Sequence, residues 1–135
     1  MSKLDGEDPL EKVLVNKDEI NRQRLADGIK GIIGVDEASG KPTPLSGYQN
    51  LNNKQRFVAR LLARRAAHAL DLLDDESLGD SSSGFEDRMA VTGSTIKDYG
   101  SIDFVENDGE YGGYHIPAYG LAEAIEFIQE TEEKE

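Results

Sequence analysis

Between Asn52 and Leu73 apolar residues recur at helical spacing: Phe57, Val58, Leu61, Leu62, Ala66, Ala69, Leu70 and Leu73. Positions i, i+3, i+4 and i+7 share one helix face, so the stretch predicts an amphipathic helix that must bury this stripe. Asn52 can cap its start, and Gln55 three residues on closes a capping box. Arg56, Arg60, Arg64 and His68 recur every four residues and form a ridge beside the stripe. Asp71, Asp74, Asp75 and Glu76 follow at the C-terminal end, where the macrodipole disfavours negative charge. The helix is therefore expected to stop near Leu73.

This helix lies in an uneven field of charge. Fifteen Lys and Arg stand against 27 Asp and Glu, a formal net charge of −12. Yet no Asp or Glu occurs from Ala38 to Leu70, while Lys41, Lys54, Arg56, Arg60, Arg64 and Arg65 all fall there. That segment carries +6, leaving −18 for the remainder. The chain as a whole repels phosphate, but this segment attracts anions. The dispersed acid elsewhere, including the Glu130–Glu135 end, is similar in composition to proteins of salt-loving organisms.

Several chemistries are excluded. There is no cysteine, hence no disulfide framework, thiol nucleophile or cysteine-ligated metal. His68 and His115 lie 47 residues apart and form no multi-histidine centre alone. No apolar run is long enough to span a bilayer, and Met1–Asp8 is acidic rather than signal-like. A small, soluble, cytoplasmic protein is expected. No H-E-x-x-H, P-loop, dinucleotide or G-x-S-x-G motif occurs. Asp103, Asp108 and Glu110 do not follow the calcium-loop template. The expectation is a non-enzyme with no cofactor and no small-molecule ligand.

The 135 residues predict a single compact domain with loose ends. Residues 1–15 read as a flexible acidic N-terminus with a short apolar patch, Leu10–Val15. Residues 16–50 read as a helix and a connector. Asn16 and Glu19 make a capping box, Ile20, Leu25, Ile29 and Ile32 make the stripe, and Gly34 ends it. With two Pro and two Gly, residues 35–50 read as a surface connector. Asp80–Gly84 is a serine-rich loop before two short helices. Phe104 and Val105 on one arm, and Tyr114 and Ile116 on the other, predict a β-hairpin around Asn107–Gly113. Residues 118–135 read as an amphipathic helix, with Leu121, Ala124, Ile125 and Ile128, running into an acidic tail.

Between the long helix and the hairpin, Phe85, Met89, Val91, Ile96 and Tyr99 stand at offsets 0, 4, 6, 11 and 14. Two short helices packed steeply over one small core need such a set. Together with the order helix, helix, turn, helix, hairpin, this resembles the winged helix-turn-helix DNA-binding superfamily over residues 51–117. The resemblance implies an α+β fold, mainly α with a small β-hairpin: a winged helix-turn-helix core flanked by N- and C-terminal helices. Ala90 holds the tight-turn position that is often glycine in that superfamily. Thr92-Gly93-Ser94-Thr95-Ile96-Lys97 looks like the opening of a recognition helix.

The resemblance implies double-stranded DNA as partner, with Ser94, Thr95 and Lys97 directed at the major groove. Arg88 would reach a phosphate. Arg56, Arg60 and Arg64 would clamp phosphates or pair with the protein's own carboxylates. Asp98 beside Lys97, and Glu106, Asp108 and Glu110 on the wing, depart from the superfamily's basic surfaces. Tyr111, Tyr114 and His115 either stack or pack the hairpin onto the helices. The terminal stripe either joins two copies as a dimer, setting recognition helices roughly 34 Å apart, or packs on the first helix. The expected function is sequence-specific DNA binding, as a small transcriptional regulator of archaeal, plasmid or viral type. The alternative is a winged-helix protein-interaction module, such as a virion or assembly adaptor.

Overall fold

In the computed structural model, which describes Leu10 and residues 17–129, the long helix α2 (Asn53–Ala69) is the element around which the others assemble. Phe57, Val58, Ala59, Leu61, Leu62, Ala63 and Ala67 are all buried on it. The capping box is formed: Gln55 N–H donates to Asn52 Oδ1 at 2.8 Å, and Asn52 N–H donates to Gln55 Oε1 at 3.0 Å.

The helix ends four residues before the expected stop. Asp71 adopts a left-handed φ of 64°. The Leu72 N–H then reaches Ala67 O at 2.9 Å and the Asp71 N–H reaches His68 O at 3.0 Å. This is a Schellman cap with Asp where Gly is usual. Arg22 on the preceding helix donates to Ala69 O at 2.8 Å, placing a cation at the negative end of the dipole. Leu70, assigned by periodicity to the apolar stripe, is consequently 53% exposed.

The first helix, α1 (Lys17–Ile29), stops short of Ile32. The expected Asn16 cap, the rest of the N-terminal tail and the Glu130–Glu135 tail lie outside the described residues. Residues 35–50 are not a plain connector. β1 (Ile33–Val35) pairs antiparallel with β2 (Pro42–Pro44), in register Ile33 with Pro44 and Val35 with Pro42. Both prolines lack a donor. Gly34 pairs with Thr43 between them, and the hairpin is flanked by Leu45 N–H to Ile32 O and Asp36 N–H to Lys41 O, both 2.9 Å. At its tip Gly40 has φ +75°. The Asp36 carboxylate accepts from Ser39 N–H at 3.0 Å and Ser39 Oγ–H at 2.6 Å. Chiefly through that hydroxyl, the Asp36 carboxyl is held below its ordinary range. A short 3-10 turn, Ser46–Asn50, leads into α2.

Beyond α2 the chain forms α3 (Ser82–Met89), α4 (Gly93–Tyr99), β3 (Glu106–Asp108), β4 (Gly113–His115) and α5 (Leu121–Ile128). β3 and β4 pair antiparallel, Glu106 opposite His115 and Asp108 opposite Gly113. The arms thus begin after Phe104 and Val105, which are buried below the hairpin. Asp80, between α2 and α3, adds a third pairing position: its N–H and C=O bond Tyr114 at 3.2 and 2.8 Å. The fold is α+β, mainly helical with two small antiparallel hairpins.

One hydrophobic cluster joins all five helices, β1 and β4. Leu121, Ala124, Ile125 and Ile128 of α5 are buried against α2 and α1. Gly28 makes the α1–α5 approach possible, since a Cβ there would lie 2.7 Å from Ile125 Cγ2. The terminal stripe is therefore covered by its own chain, packed on α1 and α2. Among the described residues no helix is long and apolar enough to cross a membrane.

Candidate nucleic-acid interface

The α3–α4 pair is built on Phe57 of α2. Its ring lies 4.8 Å from Phe85 of α3, 5.7 Å from Tyr99 of α4 and 5.9 Å from Tyr114 of β4, centroid to centroid. Such tilted and edge contacts suit the ring quadrupole and fix relative orientation as well as burying area. Ile96 is 0% exposed, Phe85 is fully buried, and Met89, Val91 and Tyr99 pack around them. All five residues singled out by their offsets therefore reach the core.

The turn between the helices is left-handed. Ala90 has φ 57° and ψ 41°, and its N–H closes α3 on Glu86 O at 3.0 Å. Thr92 then caps α4, accepting from Thr95 N–H at 3.3 Å. Its Oγ1 also lies 2.9 Å from Thr95 Oγ1 and 3.2 Å from Ser94 Oγ. The Glu86 side chain lies against the same end, so close that a Cβ at Gly93 would collide with its Oε2. A carboxylate there is favoured by the helix dipole.

With Ile96 turned inward, α4 presents Ser94, Lys97 and Asp98 to solvent, followed by Ser101. Thr95 is half-buried and its hydroxyl belongs to the cap. Arg88 on α3 is exposed, with Asp87 beside it. Ser94, Lys97 and Arg88 are thus the expected contact residues exposed at the surface, Ser94 with its hydroxyl beside the Thr92 cap. Ser101 was not anticipated; it lies exposed just past the C-terminal end of α4, where its Oγ donates to Asp98 O at 2.7 Å.

The arginine ridge has a different environment. Arg56 Nε donates to Tyr48 O at 3.2 Å and its NH2 to Gln49 O at 3.1 Å. Arg60 Nε donates to the Tyr48 hydroxyl at 2.9 Å. Both guanidinium groups lie over the Tyr48 ring, 5.2 and 5.4 Å from its centroid. Arg64 donates to Leu78 O at 3.1 Å and Ser77 O at 2.7 Å, and faces Asp80 at 4.0 Å. Arg65 reaches Ile116 O at 3.3 Å. All four are half-buried. Burial lowers the proton affinity of Arg64, Asp80 opposes this and the charge of Arg88 adds to it. The ridge thus staples residues 48–49 and 77–78 to α2, and a phosphate would have to compete with these acceptors.

The wing is acidic and docked. Glu106, Asp108 and Glu110 are exposed, while His115 and Tyr114 are buried. Gly112, at φ +88°, sits where a Cβ would lie 2.5 Å from Glu76 O, so the tip lies tight against the loop before α3. His115 Nδ1 faces Gly113 O at 3.1 Å, its Nε2 lies 3.7 Å from Glu106 Oε1, and the Tyr111 ring lies tilted against its ring at 4.9 Å. Tyr119 O–H donates to the other Glu106 oxygen. Tyr114 and His115 therefore pack the hairpin, while Tyr111 covers His115 and keeps one side exposed.

Comparison of the chain with protein-family models, curated proteins and solved structures finds no match in any of the three.

Proposed function

We propose that the chain binds double-stranded DNA in a sequence-specific manner, with α4 in the major groove, and acts as a small transcriptional regulator. The observation that carries this reading is the α3–α4 pair: its inner face is locked on Phe57 while a short polar edge, Ser94, Lys97, Asp98 and Ser101, faces solvent. A helix needs such a narrow polar edge to enter a groove and donate to or accept from base edges. Lys97 is the candidate donor to guanine, Ser94 a donor or acceptor to either strand, and Arg88 a phosphate contact. Thr95 supports the reading helix by completing its cap. Arg56, Arg60 and Arg64 act mainly as internal ties in this reading. Selection of bound duplexes from a random pool, followed by gel-shift with the Lys97→Ala protein, tests it.

One observation favours a second reading. Asp87 adjoins Arg88, Asp98 adjoins Lys97, and the wing is acidic, so no continuous basic face surrounds α4. A protein partner with complementary charge would suit such a surface, as in an assembly adaptor. Failure to enrich any duplex would favour it.

A further inference from the structure

We infer that binding of duplex DNA through α4 strengthens with added salt before it weakens, so that the protein engages DNA in molar rather than in dilute salt. This rests on the DNA reading above and concerns what governs that same site. Between Ser81 and His115, the span holding α3, α4 and the wing, Arg88 and Lys97 are the only Lys or Arg against seven carboxylates, a net of −5. Asp87 and Asp98 are exposed directly beside the two cations, and Glu106, Asp108 and Glu110 are exposed along the wing.

The arginine donors of α2 that could contact phosphate are engaged elsewhere, although their charge remains. Arg56, Arg60, Arg64 and Arg65 donate to main-chain carbonyls and to the Tyr48 hydroxyl. Two free cations cap the counterion-release slope at roughly 1.8 in log affinity against log salt. Against it stands repulsion between phosphates and a surface of net −5, inside a chain of net −12. That repulsion reaches about 10 Å in 0.1 M salt but only about 3 Å in 1 M. Hydrogen bonds that Ser94 and Lys97 donate to base edges, and that Asp98 accepts from them, act at contact and survive the screening. Salt therefore removes more repulsion than attraction until the repulsion is exhausted.

The probe is the duplex enriched from a randomised pool in about 1 M KCl, titrated with the full chain from about 0.1 M to about 1 M KCl. Far-UV circular dichroism confines the comparison to concentrations at which the native helical signal is present. The expected result is at least about threefold tighter binding at the upper end of that range. The charge-reduced protein Asp87→Asn, Asp103→Asn, Glu110→Gln should gain at least about threefold at the lower end, with less than about twofold change at the upper. Affinity that is level or falls with salt in the native protein overturns the inference while leaving the DNA reading intact. Failure to enrich a duplex at any salt overturns both.

Discussion

Arg60 Nε donates to the Tyr48 hydroxyl at 2.9 Å, and the same ring is covered by the Arg56 guanidinium 5.2 Å from its centroid. Tyr48 is itself buried, so two cations and one phenol form a tie between the 46–50 turn and α2 rather than a surface patch. The densest cationic segment of the sequence is in this way largely an internal seam.

That seam sets the first expectation. Arg64→Ala would leave the Ser77 and Leu78 carbonyls short of charged donors. A loss of about 2–3 kcal/mol in urea unfolding should follow. Tyr48→Phe should cost less, about 1–2 kcal/mol, since only the hydroxyl partner of Arg60 is lost. A stability change near zero for both would mean that the guanidinium groups face solvent and remain available to phosphate.

Ala90 occupies the left-handed region at φ 57°. A side-chain Cβ costs about 1–2 kcal/mol there, and glycine returns part of that gain as unfolded-state entropy. Ala90→Gly should therefore stabilise by roughly 0.5–1 kcal/mol. Asp71→Gly, at φ 64°, should act in the same direction and also remove a charge opposed to the α2 dipole. A lowered thermal midpoint in either protein would contradict these turn conformations.

Ile96 has no exposed surface beneath the α3–α4 pair. Ile96→Ala should cost about 2–4 kcal/mol, and Phe57→Ala about 3–5 kcal/mol because rings from three elements meet on it. Chemical denaturation reads both. A loss under about half a kcal/mol for Ile96→Ala would place that residue at the surface.

Lys97→Ala leaves the fold untouched, its side chain being exposed. If Lys97 reads a base, the variant should lose about 1–3 kcal/mol against one base pair of the selected duplex and relax the preference there. A uniform loss across all sequences would instead assign Lys97 to a phosphate.

Asp36 supplies a pH expectation. Its carboxyl is held below the ordinary range by the Ser39 hydroxyl and N–H. For a depressed carboxyl the stabilising contribution is complete above the unfolded value, near about 3.9, and is lost as pH falls through the lower folded value. Carboxyl-carbon NMR should find Asp36 titrating below a peptide reference, and Ser39→Ala should move it upward. Coincidence of the native protein with the reference would remove the Ser39 bond.

Local signals made much of this molecule legible beforehand. The α2 stripe and its Asn52–Gln55 box follow from period 3.6 and from capping chemistry within a few residues. The offsets from Phe85 to Tyr99 placed the two short helices, and the apolar spacing of α5 named the residues it buries. Gln55 marks where such reasoning ends. Its side chain completes the cap, but its Nε2 also donates to Phe127 O at 3.0 Å, 72 residues away.

What only the tertiary structure decided has a common cause. Arg56, Arg64 and Arg65 take main-chain carbonyls as acceptors, and a carbonyl is the same group at every position, so nothing in the sequence distinguishes Leu78 or Ile116 as a partner. The β1–β2 hairpin carries two prolines in one strand and is held by bonds flanking them, so its sequence has the marks of a loop. The α5 stripe required burial, but burial by a second copy and burial by α1 and α2 satisfy the same apolar surface equally well. In this fold α1 and α2 cover it, and Gly28 lets Ile125 approach through a contact across almost the whole described chain. The sequence by itself thus determined which faces must be covered and where helices begin. The fold determined what covers them and which of the cations remain free.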